Sequence, residues 1–94
     1  MKYMVIERFR PGAAGEIYRR FAEKGRMMPD GLNYIESWIV EDLSTCFQLM
    51  ETDDFAKFAQ WTRNWDDLAD FEISPVMSSV QAREKALAST TRDA

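Results

Sequence analysis

The spacing of apolar residues switches back and forth between period two and period 3.6 along this chain, and the order of those switches limits the fold more than any other feature. Lys2 to Arg10 opens with Tyr3-Met4-Val5-Ile6, a β-branched and aromatic run that admits polar residues only toward its end. It predicts a strand buried on both faces in its first half. Pro11-Gly12 stops it. From Ala13 the period lengthens: Ala14, Ile17 and Phe21, with Tyr18 beside them, share one helical face, while Glu16, Arg19, Arg20 and Glu23 point away. Glu16 and Arg20 form an i,i+4 pair of the favourable orientation. Gly25 supplies a helix stop and Pro29-Asp30-Gly31 a turn. Leu32 to Val40 reads as a second strand, with Tyr34, Glu36 and Trp38 on one parity and Ile35, Ser37 and Ile39 on the other. Glu41 to Thr45 makes a hairpin loop, and Cys46 to Glu51 a third strand. Asp53 or Asp54 caps a second helix, in which Phe55, Phe58, Trp61 or Thr62, Trp65 and Leu68 fall at spacings of three and four. A fourth strand follows around Phe71-Glu72-Ile73, and Pro75 assigns part of it to an edge or a bulge.

This order is β-α-β-β-α-β, an α+β fold of the ferredoxin-like kind. Right-handed crossovers place strands one and three in the middle of a four-stranded antiparallel sheet, with both helices on one face. Residues 1–80 make the single domain. Residues 81–94 form a polar C-terminal tail holding a short helix and a frayed end. A chain of 94 residues fits one core, burying roughly two-thirds of its unfolded surface. Strands one and two nevertheless carry apolar or aromatic residues on both parities, so the face without helices exposes a patch of the kind that marks an interface or pocket. The expectation is a homodimer joined face to face through the sheets.

Composition narrows the chemistry. With no histidine there is no Ser-His or Cys-His pair, no imidazole metal ligand and no histidine-held haem. Cys46, the one cysteine, forms no intrachain disulfide and no paired-cysteine metal site, which suits a reducing cytoplasm. Neither a metal nor a cofactor is expected. The start of the chain lacks the apolar run of a signal peptide, and no segment is apolar enough to span a bilayer, so no membrane partner is expected. A net charge of −4 argues against nucleic acid.

Several pieces carry a resemblance: Met4-Val5-Ile6-Glu7-Arg8-Phe9, Lys24-Gly25-Arg26-Met27-Met28-Pro29-Asp30-Gly31-Leu32, Ser37-Trp38, Cys46-Phe47-Gln48-Leu49-Met50-Glu51, and Trp61-x-x-x-Trp65-x-Asp67-Leu68 followed by Phe71-Glu72-Ile73-x-Pro75-Val76. Across residues 2 to 80 the chain resembles a family of small bacterial proteins of unknown function. That family is similar to the dimeric α/β-barrel superfamily, whose members include antibiotic monooxygenases acting on polyketide-like aromatics, haem-degrading enzymes, lactone isomerases and stress-response proteins. The resemblance implies the fold and the dimer. It brings no catalytic residues, and the missing histidine departs from those relatives that rely on one.

The residues themselves offer one constellation for chemistry, on the face without helices: Glu7, Tyr34, Glu36, Trp38 and Gln48. An odd-length hairpin loop sets Trp38 opposite Gln48, with Tyr34 and Glu36 on the same side and Glu7 on the neighbouring strand. Glu7 or Glu36 is the candidate acid or base, because a carboxyl buried among aromatics holds its proton to higher pH. Tyr34 and Gln48 orient an oxygen, and Trp38 walls a flat ligand. The structural alternative makes the same residues a dimer interface, the glutamates pairing with Arg8, Arg10 or Arg26. Trp61 and Trp65 read as core ahead of a ligand platform. Asp66-Asp67-Leu68-Ala69-Asp70 spells a magnesium-binding box but reads as a solvated helix end with Arg63 paired to Asp67. Gly12-Ala13-Ala14-Gly15 spells an RNA-clamp motif but reads as a strand-to-helix turn, and Cys46 as an inert buried thiol. The cluster Arg19, Arg20, Lys24 and Arg26 reads as a solvated face ahead of an anion receiver. Two functions fit: a dimeric enzyme or binder for a small aromatic or lactone-like molecule, and a non-enzymatic dimeric accessory or stress module.

Overall fold

A computed structural model describes residues 1–93, and side chains through residue 89. Its elements are β1 (Lys2–Phe9), α1 (Ala14–Lys24), β2 (Asn33–Ile39), β3 (Thr45–Glu51), α2 (Ala56–Thr62), β4 (Ala69–Val76) and α3 (Ser79–Asp93). The four strands form one antiparallel sheet in the order β2-β3-β1-β4, the arrangement the βαββαβ pattern requires. Pro75 lies on the edge strand β4, opposite Tyr3, where a residue without an N–H costs the ladder least.

Local chemistry accounts for the boundaries. Gly12 takes φ 77° in the turn between β1 and α1, a conformation that favours glycine. At the far end of α1, the Gly25 N–H donates to the Phe21 carbonyl at 2.8 Å with φ 67°. Entry to α2 is marked by Asp54, whose carboxylate accepts the Ala56 N–H at 3.0 Å. This helix is shorter than the apolar spacing predicts. After Thr62 the chain continues through tight turns, with the Trp65 N–H on the Thr62 carbonyl and the Leu68 N–H on the Trp65 carbonyl. Trp65 still points inward, so the spacing reflects burial beyond the helix end.

The tail is more regular than the expected short helix. Ser78 and Gln81 form a reciprocal capping box: the Gln81 N–H donates to the Ser78 hydroxyl at 3.1 Å, and the Ser78 N–H to the Gln81 side-chain oxygen at 3.0 Å. α3 then runs for 15 residues with every described side chain exposed. The fraying expected at the chain's end falls on side chains outside the described residues.

The core lies between the sheet and the first two helices. Val5, Met50, Phe58 and Trp61 are its fully buried members. Tyr3 meets Phe58 edge-on with ring centres 5.1 Å apart, and Trp61 meets Phe71 likewise at 5.3 Å. Among the described residues no helix covers the opposite face of the sheet. Met4, Ile6, Phe47 and Leu49 lie on it, with Trp38, 55% exposed, beside Phe47. Among the described residues no helix is long and apolar enough to cross a membrane.

Candidate functional site

Two polar side chains break the apolar pattern of the covered face. On β1, Tyr3, Val5 and Glu7 alternate inward; on β3, Cys46, Gln48 and Met50 do the same, with Glu7 opposite Cys46 and Val5 opposite Gln48. Glu7 is 5% exposed and Gln48 6%. The Gln48 amide donates to the Glu7 carboxylate at 2.7 Å. Both line a cavity of about 220 Å³ between the sheet and α1, walled by Tyr18, Phe21, Trp61 and Trp65. A cavity of about 150 Å³ holds benzene, so this one has room for a single ring with one or two substituents.

Arg26 stands at the rim. The indole N–H groups of Trp61 and Trp65 both donate to its backbone carbonyl, at 3.0 and 3.1 Å. Its guanidinium lies 3.6 Å from the centre of the Tyr34 ring and 5.0 Å from that of Phe21. Trp61-x-x-x-Trp65 therefore does more than fill the core. It pins the loop that presents Arg26, and both indoles form cavity wall as well.

Burial pushes the Glu7 carboxyl up to about 7, against the smaller opposing pulls of the Gln48 hydrogen bond and the Arg26 charge. A carboxyl of that kind gives and accepts a proton near neutral pH. The Cys46 thiol, on the same wall, is pushed up to about 12 by burial, with the nearby Glu7 adding to the effect. That leaves it a poor nucleophile. Burial likewise raises the Tyr18 hydroxyl. Among the described residues no three or more Cys, Asp or Glu side chains gather as a metal site.

The expected constellation is divided by the sheet. Glu7 and Gln48 come together, but on the helix-covered face. Glu36 and Trp38 lie on the open one, opposite Leu49 and Phe47, and the residue opposite Gln48 is Ser37 in place of Trp38. A bulge at Ile35 explains why Tyr34 parts from them: Tyr34 pairs with Met50 and Glu36 with Leu49, so one extra residue intervenes and parity reverses. Tyr34 instead joins the covered side, where its hydroxyl hydrogen-bonds Ser37 at 2.6 Å and its ring lies against Arg26. Trp38 and Glu36 are thus not cavity residues.

Sequence reasoning placed Tyr18 and Phe21 on the buried face of α1 without seeing them as walls, and read Arg26 as a solvated charge. A turn rich in Met and Pro, pinned by a Trp pair, carried the signal for Arg26, but only the fold shows which loop the indoles reach. Two ion pairs also differ. Asp67 pairs with Arg20 of α1, at 2.8 and 2.9 Å, in place of Arg63, and Glu16 pairs with Arg19 in place of Arg20. The Arg20–Asp67 bond ties α1 to the turns after α2 and holds two cavity walls together.

Comparison with known proteins adds the family and little else. No curated protein and no solved structure matches the chain. One family model matches residues 1–90, that of a domain of unknown function, DUF3303. Spanning nearly the whole sequence, that match shows that the chain belongs to the DUF3303 family.

Proposed function

We propose that this domain binds a compact molecule, a single aromatic or lactone-like ring, in the cavity under α1 and moves a proton on it through Glu7. The observation that carries the reading is a carboxyl 5% exposed, with one hydrogen-bond partner and no cation at ion-pair distance among the described residues, lining an aromatic-walled cavity. A buried carboxyl is expensive to keep, and Gln48, diagonally across on the neighbouring strand, directs its oxygen. Gln48 also retains donor and acceptor capacity for a ligand oxygen. Neutral Glu7 gives a proton to a ring oxygen or carbonyl; ionised Glu7 takes one from an acidic C–H or O–H.

The open sheet face supports a second element of the reading: the domain works as a homodimer, each copy covering the other's Trp38, Phe47 and Ile6. Trp38 at 55% exposure on a helix-free sheet favours it. This pairing accords with the dimeric α/β-barrel resemblance, and the lone buried Cys46 suits the cytoplasm.

A panel of small aromatics and lactones screened by thermal shift and tryptophan fluorescence tests the reading. At least one ring compound raises the melting temperature of the wild-type protein, and Glu7→Gln keeps binding while losing proton exchange at the ligand. Absence of any shift across the panel sinks it.

A further inference from the structure

We propose that the ring compound carries a single anionic oxygen group, most simply a carboxylate, and that Arg26 receives it at the cavity rim. This rests on the reading of the cavity as a ligand site and adds the charge of the ligand. The chain is acidic overall, with net charge −4, and four of its arginines are already matched to carboxylates. Arg8 reaches Glu72, Arg10 reaches Asp70, Arg19 reaches Glu16 and Arg20 reaches Asp67. Arg26 lines the cavity and reaches no carboxylate among the described residues. Its backbone is held by two indole N–H groups, and its guanidinium is stacked against Tyr34 at 3.6 Å. Stacking fixes the plane of the fork while leaving its N–H edges free, the arrangement that matches a carboxylate bidentately.

Size and charge count narrow the class further. About 220 Å³ favours a single substituted ring over a nucleotide. One guanidinium balances one negative charge, which favours a carboxylate over a phosphate dianion. Glu7 shares the cavity with Arg26 but lies beyond ion-pair distance of it, so the two act on different parts of one ligand: Arg26 on the anion, Glu7 and Gln48 on an oxygen or carbon further in. The other titratable groups facing that space, Tyr18 and Cys46, are held in their neutral forms by burial.

Benzoate and benzamide, equal in shape and unequal in charge, serve as probes. Trp38→Phe in the background removes the fluorophore on the far side of the sheet, so that Trp61 and Trp65 report cavity occupancy. At pH 6, benzoate binds about tenfold or more tightly than benzamide, the size expected of a charge-assisted bidentate contact. Arg26→Met, checked for an unchanged circular dichroism spectrum, brings benzoate down to the benzamide level and leaves benzamide within about twofold of its starting affinity. Arg26→Lys keeps part of the discrimination, since charge survives and the fork does not. Equal binding of the two probes, or an undiminished preference for benzoate in Arg26→Met, overturns the assignment while leaving the cavity a ligand site. Binding of neither probe overturns both readings.

Discussion

The two faces of this sheet are built from the same kinds of residue and put to opposite use. Toward the helices, β1 and β3 turn Tyr3, Val5, Glu7, Cys46, Gln48 and Met50; away from them, Met4, Ile6, Phe47 and Leu49. By apolar content the second set is the stronger candidate for a core, yet it is the one left without a helix. What separates the faces is where polar side chains are tolerated. On the open face, charge stays at the rim, as in the Arg8–Glu72 pair at 3.7 Å. On the covered face a carboxyl and an amide sit deep in the interior, hydrogen-bonded to each other. Burial under a helix turns Glu7 into a group that titrates near neutrality. A buried polar pair is therefore a better pointer to the working face than an exposed aromatic.

The sharpest way to break this comparison is to truncate the wall that serves both core and cavity. Trp61→Ala removes an indole 2% exposed, its bond to Arg26 and its contact with Phe71, and costs about 3–5 kcal/mol in urea unfolding. A loss under about 1 kcal/mol would mean that the covered face is not the core.

Next in size is the pH dependence that Glu7 imposes. Its carboxyl holds a proton to about 7 in the folded state, whereas the unfolded chain releases it near the ordinary glutamate value of about 4.3. Below that ordinary value both states are protonated and Glu7 is neutral to stability. Between the two, only the unfolded chain has ionised, so stability falls as pH rises; above about 7 the cost is complete. It amounts to roughly 4 kcal/mol at most, from about 1.4 kcal/mol per pH unit. Glu7→Gln keeps the Gln48 hydrogen bond, removes this slope and stabilises the protein by up to that amount at pH 8, with no gain at pH 4. A variant that follows the wild-type pH profile would show that Glu7 is not held protonated.

How far the sequence foretold all this depends on what each signal measures. The alternation of periods reports burial, and burial placed the four strands and the starts of α1 and α2, Pro75 at the edge included. Parity alone cannot say which of two apolar faces the helices will cover, because Val5 and Ile6 are equally ready for either. Nor does it register an extra residue: the bulge at Ile35 leaves no mark in Tyr34-Ile35-Glu36, yet it sends Tyr34 to one face and Trp38 to the other. Aromatic spacing also carried past the end of α2, since Trp65 is buried from a turn. The Ser78-x-x-Gln81 box was legible as the start of α3, and a polar composition obscured it.

Trp38→Lys tests the open face. On the folded protomer it costs little, because the indole is already 55% exposed. Its effect falls on association: light scattering finds a dimer for the wild-type chain and a monomer for the variant, with the circular dichroism spectrum unchanged. A wild-type monomer at micromolar concentration would leave the apolar open face without the occupant proposed for it.

The smallest effect belongs to the Arg20–Asp67 pair, which ties α1 to the turns after α2. The Arg20 guanidinium holds the Asp67 carboxyl below the usual carboxylate range through paired hydrogen bonds at the solvent boundary. A lowered folded-state value means that the contribution is present above the ordinary aspartate pKa and is lost as pH falls through the folded one. Asp67→Asn therefore shifts the urea midpoint slightly downward at neutral pH and not at all in strong acid, where the wild-type pair is already broken. Screening by salt shrinks even that shift, as expected of an exposed pair. The variant is more informative in binding than in stability. If the Arg20–Asp67 bond keeps α1 against the turns after α2, its loss weakens ring binding in the cavity more than it lowers the midpoint, and equal small changes in both would reduce the pair to surface decoration.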